Sequence, residues 1–279
     1  MGAGSVVDNA IRHPQGGGRV VCELLGINAS RAVDAGPWLR RFQPRGGALA
    51  NNPDGWGLAY TEGGEFKITK SPTPGAESSV LSALCSTVHS SLVIGHVRHA
   101  NHPYVNSIEN THPFIRSCCG KEWIFAHNGL VSDIKTLPEA RLHEGCNPLG
   151  QTDSEYAFCY LLERIAFHID VNARSDGEVQ VDRFASIVEL VAAHGRFNFL
   201  ISDGAYLIAY GHDHLHFLDD SDTATKAVVI ATVPLSTDKW VPFEPGELRI
   251  YQGGRLITSR HTRLGAVHER TEIYKETTL

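Results

Sequence analysis

Short apolar runs closed by turn residues recur along this chain, and a middle stretch of helical period separates two groups of them. Segments 22–28, 56–60, 65–69, 91–98 and 122–127 read as strands, as do 197–202, 205–210, 214–218, 227–231, 247–251 and 255–258, with Gly, Asp or Pro at most junctions. The pair 56–60 and 65–69, joined across Glu62-Gly63-Gly64, reads as a hairpin. Helical spacing predicts a short helix over 37–42 with Pro37 in its first turn, a second over 77–88, and a third starting at Thr152. There Glu155 takes the capping-box position, and a fourth helix is expected over 182–193. Strands, then two helices, then strands again predict an α+β domain in which sheets pack between helical layers.

At 279 residues, 42% of them hydrophobic, the chain has ample material for a sizeable core. Net charge is −6 and no basic block stands out, which gives no electrostatic reason to expect nucleic acid or an anionic membrane as partner. The six cysteines show neither CxxC spacing nor the density of a secreted disulfide scaffold, so the expected setting is a reducing cytoplasm. Residues 1–20 lack the apolar run of a signal peptide, and no segment reaches transmembrane length. Residues 1–21 are read as a leader, either a start-site artefact or a propeptide, before a domain at 22–279. Val21 directly precedes Cys22, and a GUG valine codon can act as initiator, so that removal of the first residue would leave Cys22 with a free amine.

Four features carry chemistry. Cys22 opens the first apolar run and supplies a nucleophile; an α-amine on the same residue, with an ordinary pKa of about 7.7–8.0, suits a general base near neutrality. Arg98, at the end of the 91–98 run, offers a planar fork of donors matched to a carboxylate. Asn128-Gly129, read as a tight turn, combines an amide donor with a backbone N–H, the elements of an oxyanion hole. Asp153, at the start of a helix, is placed to hold an ammonium group. Each has an ordinary structural reading taken alone: buried small side chain, surface charge, plain turn and helix start. His212, His214 and His216 alternate, as if to share one strand face, yet no fourth ligand or supporting shell accompanies them, so no metal is assigned.

Taken in order, Cys22-Glu23-Leu24-Leu25-Gly26, Arg45-Gly46-Gly47, Asp54-Gly55-Trp56-Gly57 and His96-Val97-Arg98 begin a pattern that continues through Asn110-Thr111-His112-Pro113-Phe114, Ala126-His127-Asn128-Gly129 and Thr152-Asp153-Ser154-Glu155. Phe197-Asn198-Phe199 and Ala231-Thr232-Val233-Pro234-Leu235 extend it across nearly the whole chain from Cys22. The set resembles the class II glutamine amidotransferases, closest to the branch without a fused synthase domain. The resemblance implies a four-layer α/β/β/α N-terminal-nucleophile hydrolase sandwich of two antiparallel sheets and no cofactor. It implies catalysis by Cys22 with Asn128 and Gly129 on the oxyanion, and binding of the substrate's α-carboxylate and α-ammonium by Arg98 and Asp153. Thr111 and His112 are further substrate-binding candidates, and Arg45, Asn101 and His102 supporting ones.

The implied substrate is glutamine or another γ-glutamyl small molecule, with ammonia either released or passed to a separate synthase subunit. The alternative is a non-catalytic glutamine-binding subunit whose nucleophile the leader blocks. Two departures stand out: Cys22 is internal, and His99 takes a place where synthase-fused relatives usually carry an aromatic residue.

Overall fold

A computed structural model describes residues 22–100, 105–118, 120–136, 146–165, 177–220 and 224–264. In chain order the elements are β1 (Glu23–Asp34), α1 (Gly36–Phe42), β2 (Trp56–Glu62), β3 (Glu65–Ser71), α2 (Ser79–Thr87), β4 (His89–Val97), β5 (Phe114–Cys118) and β6 (Lys121–Leu130). Then come α3 (Asp153–Ile165), α4 (Gly177–Ala192), β7 (Arg196–Ser202), β8 (Tyr206–Gly211), β9 (His216–Asp220), β10 (Ala227–Ala231), β11 (Val241–Pro242), β12 (Glu247–Gln252) and β13 (Arg255–His261). A 7-stranded sheet has the order β11-β9-β10-β1-β4-β2-β3, and a 6-stranded sheet the order β13-β12-β8-β7-β6-β5. Neighbouring strands in both run antiparallel.

Alternation along the central strands builds three apolar layers. Leu24 of β1, Ala126 of β6, Leu200 of β7 and Ala209 of β8 meet between the sheets. Their neighbours Leu25 and Ile27 face the opposite way, joining Leu39 and Phe42 of α1 and Leu81 and Cys85 of α2. On the far side, Phe125, Phe197, Phe199 and Tyr210 pack under Phe158 of α3 and Phe184 and Val188 of α4. Because both faces of each central strand are buried, the strands are apolar almost without interruption rather than alternating with polar residues. Each large side chain so enclosed adds about 1.5–3 kcal/mol of hydrophobic stabilisation. Helices, sheet, sheet, helices is the layering the family resemblance implies.

The third helix begins as its sequence predicts: the Thr152 hydroxyl accepts from the Glu155 N–H at 3.1 Å. Glu155 does not close a reciprocal box; its carboxylate accepts from Leu149 N and Gly150 N and pairs with Arg116, holding the preceding loop.

Three sequence readings change, and one strand had none. Asn128-Gly129 is not a turn but the continuation of β6, paired Asn128 to Asn198 and Gly129 to Phe197. β5 had no separate reading, its short run being half exposed at the sheet edge. Of the alternating histidines only His216 lies on β9, since the chain turns at 212–214, and no cluster of His, Cys, Asp or Glu able to hold a metal occurs among the described residues. Finally, Cys146 and Cys159 form a disulfide across 13 residues, a pairing their spacing did not announce. No described helix is long and apolar enough to cross a membrane.

Candidate active site

Strand ends converge on one place. Antiparallel pairing sets Glu23 of β1 opposite Val97 of β4, so Cys22, just before β1, adjoins Arg98 and His99, just after β4. On the other side Leu25 pairs with Ala231, which brings Thr232 beside Leu24. The second sheet contributes the end of β6, and α3 begins alongside it. A cavity of roughly 240 Å³ opens there, lined by Cys22, Arg98, His99, Asn110, His112, His127, Gly129, Leu130, Lys135 and residues 151–154, among others.

Cys22 is held by the backbone of His99, whose N–H donates to Sγ at 3.2 Å and whose carbonyl accepts from the thiol at 3.3 Å. Burial pushes the thiol pKa up to about 11, against the pull of the His99 N–H and the Arg98 charge. With no base at hand the thiol is a poor nucleophile at neutral pH, so the site needs a proton acceptor close to sulfur. The residue after Cys22 is pinned as well: Glu23, almost fully buried, pairs with Arg45 through both carboxylate oxygens. That pairing is the role of Arg45.

Arg98 is buried and fixed by carbonyls: its guanidinium donates to Asn106 Oδ1 at 2.8 Å, Val105 O at 3.2 Å and Asp54 O at 3.3 Å. Asp54 in turn accepts from Ala100 N and from Asn106 Nδ2, which makes it the organiser of the loop after β4. Asp153, the first residue of α3, accepts from Ser154 N and from Val131 N at 2.6 Å, which holds its carboxylate on the cavity wall at the positive end of the helix. A cation and an anion thus share one cavity with a thiol, a set matched to a zwitterionic amino-acid head group.

Three histidines lie beneath. His96 and His112 stack with ring centroids 4.2 Å apart, and His127 bridges Ser154 Oγ and the Arg196 carbonyl. Burial lowers all three, His96 to about 3, so they are neutral at physiological pH. Both ring nitrogens of His112 are buried and lack a hydrogen-bond partner, although other atoms of the residue reach the cavity lining.

Of the residues singled out from sequence, Cys22, Arg98, His112, Gly129 and Asp153 line the same cavity; Asn128 does not, its buried carboxamide lying 3.2 Å from the Thr232 hydroxyl. Gly129 must be glycine, because φ is +157° and a Cβ would stand 1.9 Å from the Arg196 carbonyl oxygen. Thr111 does not line the cavity; its hydroxyl donates to Ser107 O and its carbonyl accepts from Lys70. Asn101 and His102 lie outside the described residues. Sequence reasoning missed Asn106 and Lys135, and it quoted Asp54 and Asn198 in the family pattern without giving either a role; Asn198 Nδ2 donates to the Asn128 carbonyl while its Oδ1 receives the backbone N–H groups of His212, Asp213 and His214.

The comparisons bear on the family and the fold. A model of the class II glutamine amidotransferases matches residues 21–222. YafJ of Escherichia coli, whose name assigns it to the glutamine amidotransferases, is 32% identical over 262 residues, covering 85% of this chain and 100% of that protein. The gamma-glutamyl-hercynylcysteine sulfoxide hydrolase of Mycobacterium tuberculosis is 26% identical over 226 residues, 80% of this chain and 83% of that one. Among solved structures, a predicted glutamine amidotransferase from Pseudomonas aeruginosa PA01 superimposes with a TM-score of 0.60 at 30% identity, covering 85% of this chain and 100% of the other. With matching motifs along its length and relatives aligned from end to end, this chain belongs to the class II glutamine amidotransferase family, alongside its stand-alone members.

Proposed function

We propose that the protein is a γ-glutamyl amidohydrolase whose nucleophile is Cys22 at the head of a mature chain lacking residues 1–21. The observation that carries this reading is the sharing of one cavity by Cys22, Arg98 and Asp153. In the proposed reaction the α-amine of Cys22 takes the thiol proton, and the thiolate attacks the γ-carboxamide carbon of the substrate. Asn128 and Gly129 stabilise the oxyanion that forms. The C–N bond breaks as the amine returns the proton to nitrogen, ammonia or a larger amine leaves, and a γ-glutamyl thioester remains. Water, deprotonated by the same α-amine, then cleaves the thioester to give glutamate and the free thiol. Arg98 binds the α-carboxylate and Asp153 the α-ammonium, so a free glutamyl head group is read and an internal peptide glutamine is refused.

The leaving group is ammonia if glutamine is the substrate, and a substituted amine if a γ-glutamyl conjugate is. The named activity of the mycobacterial relative is the reason to test conjugates as well as glutamine. Glutamate release from both, measured on protein beginning at Cys22, tests the reading. Release should vanish in Cys22→Ala and in protein that retains residues 1–21. Equal release by the Cys22→Ala variant refutes the assignment of the nucleophile.

A further inference from the structure

Thr232 stands at the junction of the two sheets. It is 3% exposed, follows the last residue of β10, and is tied twice to the strand that carries the nucleophile. Thr232 N donates to Leu24 O at 3.2 Å, and Leu24 N donates to Thr232 Oγ1 at 2.9 Å. The same Oγ1 lies 3.2 Å from the carboxamide of Asn128 in the other sheet. With the amide nitrogen turned to Thr232, the hydroxyl accepts twice and its own proton goes unused, while the buried Oδ1 of Asn128 has no partner. Exchanging the two ends of the amide moves no heavy atom and gives both the hydroxyl proton and the Asn128 oxygen a partner. Thr232 Oγ1 then accepts from Leu24 N, donates to Asn128 Oδ1, and leaves the Asn128 NH₂ as the free donor.

We infer that the Thr232 hydroxyl is a positioning residue: it orients the Asn128 carboxamide with its nitrogen toward the oxyanion and fixes that donor to the nucleophile strand through Leu24. The opposite orientation would set a carbonyl oxygen against developing negative charge. This rests on the amidohydrolase reading above. A hydroxyl serves where another amide would not, since one oxygen must accept from a backbone N–H and donate to a carbonyl at the same time.

The test is steady-state glutamate release by protein beginning at Cys22, in wild type, Thr232→Val, Thr232→Ser, Asn128→Ala and the Asn128→Ala/Thr232→Val double variant. Removing an oxyanion donor costs about 10²–10³ in kcat, so misorienting one is expected to cost roughly tenfold to a hundredfold. Thr232→Val should lose that factor in kcat with KM nearly unchanged, and Thr232→Ser should restore it. In the Asn128→Ala background Thr232→Val should cost nothing further, because the group it orients is gone. A purely structural role would instead lower activity in both backgrounds. Thr232→Ala takes the same place in the series if the valine variant does not fold. Wild-type kcat in Thr232→Val, a loss confined to KM, or an undiminished loss on the Asn128→Ala background overturns the inference alone. Wild-type protein that releases no glutamate from any γ-glutamyl amide overturns the enzymatic reading itself.

Discussion

Acidification from pH 7.5 to 5.5 should destabilise this protein by an amount that the buried histidines set. His96 and His112 are neutral in the native state because burial excludes the charged form, and His96 has its pKa lowered from 6.5 to about 3. In the unfolded chain both titrate near 6.5. The unfolded state therefore binds protons that the native state refuses, so this stability is fully present above pH 6.5 and is lost as pH falls towards the folded value. Between pH 7.5 and 5.5 each such ring costs about 1.4 kcal/mol, and the two together about 3 kcal/mol. His127, lowered for the same reason, acts in the same direction. For a chain of this size about 3 kcal/mol corresponds to a fall in Tm of roughly 6–12 °C. Urea unfolding at the two pH values, followed by tryptophan fluorescence, measures the change directly. His96→Gln should lose about 1.4 kcal/mol less than wild type over the same interval. Identical unfolding free energies at both pH values, or an identical loss in His96→Gln, would mean that the native rings accept protons, and the reasoning would fail.

Three other perturbations follow from the geometry. Gly129→Ala forces a Cβ against the Arg196 carbonyl oxygen and should cost at least about 2 kcal/mol in chemical denaturation while abolishing glutamate release. Arg45→Ala leaves the buried Glu23 carboxylate unpaired and should lower stability by about 3–5 kcal/mol; a thermal-shift change under one degree would refute a structural role for that pair. In protein that retains residue 21, alkylation of Cys22 by iodoacetamide should climb steadily with pH towards about 11. Protein beginning at Cys22 should instead react near neutrality with an inflection at the α-amine pKa of about 8, and superimposable pH profiles would argue against the amine as base.

Much of this was legible in the chain. The apolar run after Cys22, the glycine hairpin at 62–64 and the Thr152 cap are local signals, and each element formed where local chemistry asked for it. Cys22, Arg98, His112, Gly129 and Asp153, singled out by residue type and pattern, line one cavity. What escaped depends on tertiary partners. Asn128-Gly129 has the composition of a turn, but pairing with β7 carries the strand through it, and the positive φ serves the close approach of Arg196 instead. Asp54, Asn106 and Asn198 act on groups brought near only by the fold, Asp54 on Ala100 N and Asn106, Asn106 on Arg98, and Asn198 on the Asn128 carbonyl and the amides of 212–214, and no spacing rule announces such pairings. Thr111 belongs to the family pattern, yet its hydroxyl is consumed by its own loop.

Asn198 ties together two regions of unlike exposure. Asp213 and His214 lie on an exposed turn, yet their amides and that of His212 converge on one buried oxygen, while the other end of the same carboxamide holds the Asn128 carbonyl. Amides on exposed turns ordinarily exchange with solvent through small local fluctuations. These three are restrained further, because releasing any of them loosens the strand that bears Asn128. The turn and the end of β6 thus form a single opening unit, and deuterium should reach 212–214 only as fast as it reaches the end of β6.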